Sequence, residues 1–277
     1  MNEPFQIENE MFLSIKNWQT KFPRLVAGFT TRNGGSSEKP YTCNNMGLHV
    51  GDREENVICN RKKLACKIDM PLSHWVCCQQ THGNHIHAIK KQDAGKGATQ
   101  FARGIADTDG LYTEEKGMLL VLAYADCVPI FFYAPRIERA GIAHAGWRGT
   151  VKNIGLAMIE QWVNDGIQPE EIFVAIGPAI CKDCYIVDQK VIDEVEKLPV
   201  DVRKYFQEIS FNQFSLDLKE LNRALLQKAG VPVENILVSQ FCTSCNEDLF
   251  FSHRRDAKQT GRTGRMIGFI GMKEDTD

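Results

Sequence analysis

Hydrophobic residues along the chain fall into short apolar runs of strand length and a few longer segments with helical spacing. A period near 3.6 residues predicts helices at 52–67, 150–166 and 217–230, with Asp52 as the N-cap of the first. Because strands and helices mix without regular βαβ alternation, the pattern predicts an α+β fold with mixed β-sheets. The predicted strands are residues 25–31, 75–80, 85–89, 118–124, 128–133, 139–145, 172–176, 235–240, 249–252 and 265–270.

The composition indicates a chain that acts on small molecules. The 277 residues are 43% hydrophobic, and 33 basic against 35 acidic residues leave a formal charge of -2. No block of like charge offers a surface for nucleic acid or an anionic membrane. The apolar stretch 118–134 contains Asp126 and Pro129, so it predicts two strands and not a membrane span. The N-terminus lacks the pattern of a secretory signal, so we expect a cytoplasmic protein whose 10 cysteines are mostly reduced thiols.

Three short segments each place a candidate metal ligand beside a turn at the end of a predicted strand. They are QTHG with His82, ADCVP with Cys127, and HAGWRGT with His144. The three residues are too far apart in sequence for a zinc finger, but they suit three strands that converge on one pocket. Two imidazoles and one thiolate leave a fourth tetrahedral position open, which is typical of catalytic zinc.

Other interpretations of the same residues stay open at this point. Cys127 and His144 could form a nucleophile pair, since an imidazole activates a thiolate. Cys127 could also be a small core residue, and His82 could belong to a surface group with His85 and His87.

Two CxxC pairs, Cys181/Cys184 and Cys242/Cys245, invite comparison with a zinc ribbon. Their separation far exceeds the ribbon interval of about 15–20 residues. We therefore expect these cysteines to be structural or incidental.

Several polar residues near predicted strand or helix ends are candidates for substrate binding. Arg148 in GWRGT leads a predicted helix, where a guanidinium and backbone N–H groups could hold phosphate. Asn45 and His49 lie in a glycine-punctuated loop and either contact substrate or cap the following helix. A second basic group comprises Arg254, Arg255, Arg262 and Arg265.

The motifs together resemble a family first named for laccase-like polyphenol oxidase activity and later described as purine nucleoside phosphorylases. The resemblance runs from about residue 24 to the C-terminus, and ADC-P followed by HAGWRG is its most specific part. The matching segments are TTRNGGSS, NMGLHVGD, QTHG, TDGLYT, ADCVP, HAGWRGT, AIGPAI, LDL, FCT, FSHRRD and TGR.

The resemblance implies a single-domain layered α/β sandwich over residues 1–277, with Zn²⁺ held by His82, Cys127 and His144. It also implies phosphorolysis of adenosine, inosine and methylthioadenosine, with adenosine deamination at the same site. Copper is an alternative, non-native occupant, because Cu(II) binds such sites more tightly than zinc. A copper-dependent polyphenol oxidase and an amidase that edits a peptidoglycan precursor are the alternative functions that the family suggests.

Within this hypothesis the catalytic set is His82, Asp126, Cys127 and His144. Asp126 acts as acid/base or orients a ligand. The remaining roles are phosphate or substrate anchoring by Arg148 and Arg265, and base or ribose contacts by Asn45, His49 and Gln80.

Overall fold

The computed structural model describes residues 3–274, and most of the predicted elements are present in it. The helices are α1 (Lys16–Lys21), α2 (Glu54–Ile68), α3 (Trp147–Val151), α4 (Ile154–Asn164), α5 (Gln189–Val195), α6 (Leu218–Lys228) and α7 (His253–Thr260). The strands are β1 (Phe5–Asn9), β2 (Phe12–Ile15), β3 (Leu25–Thr30), β4 (Trp75–Cys77), β5 (Ile86–Ala88), β6 (Gly110–Thr113), β7 (Leu119–Tyr124), β8 (Val128–Ala134), β9 (Arg139–Ala145), β10 (Phe173–Ile176), β11 (Ile186–Val187), β12 (Phe206–Ser210), β13 (Gln213–Leu216), β14 (Ile236–Val238) and β15 (Met266–Met272).

Two six-stranded sheets carry the fold. Sheet 1 has the order β1-β2-β3-β15-β7-β4, and sheet 2 has the order β14-β10-β8-β9-β6-β5. Both are mixed, because β4/β7, β5/β6 and β10/β14 pair parallel while the other neighbours pair antiparallel. A small third sheet, β11-β13-β12, lies outside them. These mixed sheets confirm the predicted fold class.

Side-chain alternation along β7 and β8 explains how the sheets stack. Leu120 and Leu122 of β7 pack with Phe131 of β8 in a core between the sheets. The opposite face of sheet 1 packs against α2, and the opposite face of sheet 2 packs against α4 and α6. The layers are therefore helix, sheet, sheet and helix, as expected for a layered α/β sandwich.

A helix cap explains why one predicted helix is divided in the structure. The segment predicted as one helix from 150 to 166 is two helices, because Asn153 adopts a left-handed backbone and its side chain caps α4 at Leu156. The helix predicted to start at Asp217 is present as α6, and the Asp217 side chain caps it by accepting from the backbone N–H of Glu220.

Two local predictions were wrong. Asp52 does not cap α2, which begins at Glu54, because its carboxylate accepts hydrogen bonds from Arg53 and the Asn45 side chain instead. Residues 249–252 do not form a strand, although Phe250 and Phe251 are buried. Apolar runs report burial, and here a buried turn segment has the same pattern as a strand.

The chain crosses from sheet 1 to sheet 2 twice at one end of the sandwich. Residues 78–85 connect β4 to β5, and residues 125–127 connect β7 to β8. The last residues of β9 lie at the same end, because Val128 pairs with Ala145. The crossovers thus bring distant parts of the sequence together. Within residues 3–274, no helix is long and apolar enough to cross a membrane.

The core between the sheets predicts a large cost for truncating Phe131. This ring is fully buried 5.7 Å from Phe5, so Phe131→Ala should reduce the free energy of unfolding by about 3–5 kcal/mol in urea titrations. Phe211→Ala is the matched control, because Phe211 is 95% exposed and its loss should change stability by less than about 0.5 kcal/mol. Equal effects of the two substitutions would contradict the described layering.

Candidate metal centre and ligand cavity

His82, Cys127 and His144 meet at the end of the sandwich where the chain changes sheets. Their ligand atoms all lie within 4.8 Å of one another, and the two imidazole rings are 4.8 Å apart at 78°. His82 and Cys127 lie on the two crossovers, and His144 is the second-last residue of β9. The convergence of strand ends that the sequence predicted is therefore present. The second imidazole beside the thiolate favours metal binding over a simple Cys–His nucleophile pair.

Asp109, which the sequence analysis did not select, orients two of the three residues. It precedes β6, is fully buried, and its Oδ1 atom lies 2.8 Å from Nδ1 of His144. The same carboxylate accepts backbone N–H groups from Thr81, His82 and Gly83. A carboxylate on one ring nitrogen leaves the other nitrogen of His144 for a metal.

The backbone around the cluster is unusually constrained. His82 has φ of 61°, a left-handed conformation that non-glycine residues rarely adopt. The three N–H bonds to Asp109 hold this turn, and such strain is typical of functional sites. Gly146 is equally constrained, since a Cβ atom there would lie 3.0 Å from Cys127 Sγ and 3.3 Å from His82 Cδ2.

The charges around the cluster favour an ionised sulfur. Burial raises the pKa of Cys127, but His144 and His82 together lower it to about 6. Burial disfavours the charged form of His144, yet Cys127 and Asp109 raise its pKa to about 9. Asp109 stays ionised: burial opposes this, but hydrogen bonds from His144, Gly83 and Thr81 lower its pKa to about 2. These interactions favour the thiolate form of Cys127, which is the form that binds metals.

A cavity of about 320 Å³ opens next to the three ligands. Its size is within the range of small-molecule sites, and its lining combines apolar atoms with a few polar groups. The sequence did not indicate a role for Phe101, Arg61 or His253, which also line it. The lining residues selected from the sequence are His49, Gln80, His82, Cys127, His144 and Arg265.

Of the three residues predicted to contact base or ribose, two line the cavity and one lies outside its lining. His49 lines the cavity with its ring 5.1 Å from that of Phe101, and burial with nearby Arg265 lowers its pKa to about 4. Gln80 lines the cavity too, but its amide bonds both the N–H and the C=O of Ala123. Asn45 is fully buried outside the lining, and its Oδ1 accepts the N–H of Arg265. This favours a positioning role for Asn45.

Of the two arginines predicted to bind anions, one lines the cavity and the other does not. Arg265 reaches the cavity, with Nη1 donating to the carbonyls of Thr263 and Gly264. Arg148 is exposed, stacks 4.7 Å over the Trp147 ring, and is not part of the lining.

Asp126 is buried on the crossover, and its carboxylate is fully engaged by other protein groups. Oδ1 accepts from the Thr243 hydroxyl, and Oδ2 accepts from the Ser252 hydroxyl and the Arg254 backbone N–H. With φ of 82°, Asp126 occupies a strained turn next to Cys127. These contacts favour a role in positioning Cys127 over acid/base chemistry.

The two CxxC pairs, expected to be structural or incidental, form one cluster. The sulfur atoms of Cys181, Cys184, Cys242 and Cys245 all lie within 4.8 Å of one another. The long interval in sequence argued against a zinc ribbon, but it does not keep the two pairs apart in space. One pair follows β10 and the other follows β14, and these two strands are parallel neighbours, so the segments after them lie side by side.

The fold and the site define the class of protein: a layered α/β sandwich whose crossovers carry a His/Cys/His group able to hold a metal. The chain belongs to the family whose model is described as "Multi-copper polyphenol oxidoreductase laccase", which matches residues 26–273. This confirms the resemblance stated from the motifs.

Relatives and solved structures agree with this assignment. The chain is 50% identical over 256 residues, 92% of each chain, to "Purine nucleoside phosphorylase YlmD" of Geobacillus stearothermophilus. It is 46% identical over 275 residues, 98% of each chain, to the Bacillus subtilis protein of the same description. A solved structure of Bacillus licheniformis "hypothetical protein YfiH" superposes with a TM-score of 0.94 at 45% identity, covering 98% of this chain and 100% of that one.

Asp109→Asn tests whether the buried carboxylate orients the metal ligands. An amide nitrogen cannot accept the N–H groups that Asp109 now holds, so metal affinity should fall about 10- to 100-fold in chelator competition. Asp107→Asn is the control, because Asp107 bonds the Thr81 hydroxyl, which an amide oxygen can still accept. Unchanged affinity in Asp109→Asn would remove this role from Asp109.

Proposed function

We propose that the protein is a zinc-dependent purine nucleoside phosphorylase acting on adenosine, inosine and methylthioadenosine. The observation that carries the proposal is the His82/Cys127/His144 group at the wall of a cavity of small-molecule size, in a chain 50% identical to a protein described as a purine nucleoside phosphorylase. The proposal is supported by the direct contact between this group of potential metal ligands and a cavity of small-molecule size.

The donor set suits zinc. Imidazole and thiolate are the ligands that Zn²⁺ prefers, and three protein ligands are typical of sites that leave one position for a substrate or solvent. The pKa of Cys127, lowered to about 6 by His144 and His82 against the effect of burial, keeps the sulfur ionised at neutral pH. Bound there, the ion would supply positive charge and Lewis acidity at the cavity wall.

In phosphorolysis a phosphate oxygen bonds to C1′ of the ribose while the C1′–N9 bond breaks. The bonding electrons leave with the purine, which takes up a proton. Positive charge develops on the ribose as the bond breaks. The pocket must therefore bind the phosphate anion without placing a positively charged side chain beside the ribose.

Arg265 and His49 meet these two demands. We assign phosphate to Arg265, a partly buried guanidinium that lines the cavity and has no carboxylate among its described hydrogen-bond partners. Burial first, and then Arg265, lower the pKa of His49 to about 4, so its imidazole is neutral at pH 7. A neutral His49 can hydrogen-bond base or ribose without repelling the developing charge.

Adenosine deamination is part of the same proposal, because the open side of the three-ligand group adjoins the cavity. Multi-copper oxidase chemistry is less well supported. Multicopper electron transfer requires many histidine ligands. Among residues 3–274, one group of potential metal ligands contains histidine, and it has two.

The direct test combines zinc-loaded protein with adenosine or inosine, plus and minus phosphate. We expect release of adenine or hypoxanthine with ribose 1-phosphate only when phosphate is present, and inosine with ammonia from adenosine alone. Chromatography of products checks both. Cys127→Ala should lose metal and turnover together. Base release at the same rate without phosphate, or no turnover by fully loaded protein, would overturn the phosphorylase proposal.

The phosphate assignment predicts a selective defect in Arg265→Gln. Loss of a charge-assisted hydrogen bond should lower kcat/KM for phosphate about 10- to 100-fold, with a smaller change for the nucleoside. Arg262→Gln is the control, since Arg262 is exposed and outside the cavity lining. Thermal unfolding should verify that both variants are folded. Equal losses for both substrates would argue against phosphate binding by Arg265.

A further inference from the structure

The Cys181/Cys184/Cys242/Cys245 cluster lies outside the proposed active site and has no part in the chemistry above. Each CxxC pair follows one of two parallel neighbouring strands, β10 and β14, and Ala179 bridges to Cys242 beyond the strand ends. The intervening residues form β11–β13, α5 and α6, which explains the long interval in the sequence.

We propose that these four cysteines form a closed, structural Zn²⁺ site. A tetrahedral site with Zn–S bonds of about 2.3 Å has S···S edges of about 3.8 Å. Two of the observed edges bracket that value: Cys181 to Cys245 is 3.9 Å, and Cys184 to Cys245 is 3.4 Å. The sulfurs are well beyond the bond length of a disulfide, about 2.05 Å.

Backbone donors already surround one of the sulfurs. Cys242 Sγ accepts the N–H of Cys181 at 3.2 Å and the N–H of Cys245 at 3.3 Å. Donation from both CxxC segments to one sulfur is the arrangement that a bound thiolate needs and a neutral thiol does not.

A buried lysine supplies compensating charge. Lys219 on α6 is 7% exposed, and its ammonium donates to the carbonyls of Ser239 and Phe241, just before Cys242. Burial lowers its pKa, while Asp217 and the sulfurs of Cys242 and Cys181 oppose this. Four thiolates around a divalent ion carry a net charge of -2, so Lys219 lies where a cation is favourable.

The site connects the two loops that hold Asp126. The N–H of Ile180 donates to the Asp126 carbonyl at 3.0 Å, and the Thr243 hydroxyl donates to its carboxylate at 2.6 Å. These contacts come from residues directly next to Cys181 and Cys242. A metal joining the loops therefore fixes the crossover that carries Cys127. Binding exchanges thiol protons for the ion and releases those protons to solvent.

Zinc stoichiometry of the reduced, full-length chain tests the proposal. After loading with zinc and removal of the excess, Cys127→Ala empties the His/Cys/His group and should retain one zinc per chain by native mass spectrometry. The double variant Cys184→Ser/Cys245→Ser should lose one equivalent relative to wild type. Cys59→Ser/Cys66→Ser is the matched control, because both cysteines are exposed on α2 and outside the two groups. It should bind as much zinc as wild type.

X-ray absorption at the zinc edge of Cys127→Ala identifies the zinc ligands while all four cysteines of the cluster remain unsubstituted. We expect four sulfur neighbours at about 2.3 Å. A zinc-free Cys127→Ala chain, nitrogen or oxygen ligands, or a Cys184–Cys245 disulfide found after alkylation would each overturn the proposal. These outcomes are read from zinc content, zinc ligands and thiol state and not from turnover, so they are independent of whether the phosphorylase proposal holds.

Discussion

The site depends on one buried carboxylate. Asp109 accepts the N–H groups of the turn that carries His82 and also fixes the imidazole of His144. A buried anion is costly unless it is saturated with donors, and here the donors are the very groups that must be positioned. The energy that keeps Asp109 ionised in the interior is therefore the same energy that holds the left-handed turn at His82 and the orientation of the ring.

A second set of polar contacts holds the other crossover. The carboxylate of Asp126 accepts hydrogen bonds from Thr243, Ser252 and the start of α7, and these contacts fix the turn that carries Cys127. Asp109, which bonds to the first crossover and to His144, and Asp126, which lies on the second, thus hold the segments that carry the three candidate ligands. One sheet alone could not do this, because the crossovers belong to both sheets.

The sequence predicted those parts of the protein where residue chemistry or periodicity is local. His82, Cys127 and His144 were selected as imidazole and thiolate groups beside turns, and the family resemblance then favoured metal binding over their other interpretations. The strand β9 was recognisable from its mostly apolar run. Asp109 was missed because an aspartate before a strand is common in turns. The meeting of the four cysteines in space was not foreseen, because the long interval along the chain was taken for distance in space, which the parallel pairing of β10 and β14 makes unreliable. The strand predicted at residues 249–252 was wrong for a related reason, because the burial of Phe250 and Phe251 does not show that their backbone pairs with another strand.

The position of the ligands on the crossovers has a consequence for assembly. His82 and Cys127 reach their places only when sheets 1 and 2 are stacked, since each lies on a segment that begins in one sheet and ends in the other. A partly folded chain with a single formed sheet would lack the geometry for tight coordination. Capture of the proposed metal would then be a late event in folding, and it would report that the two sheets have stacked correctly.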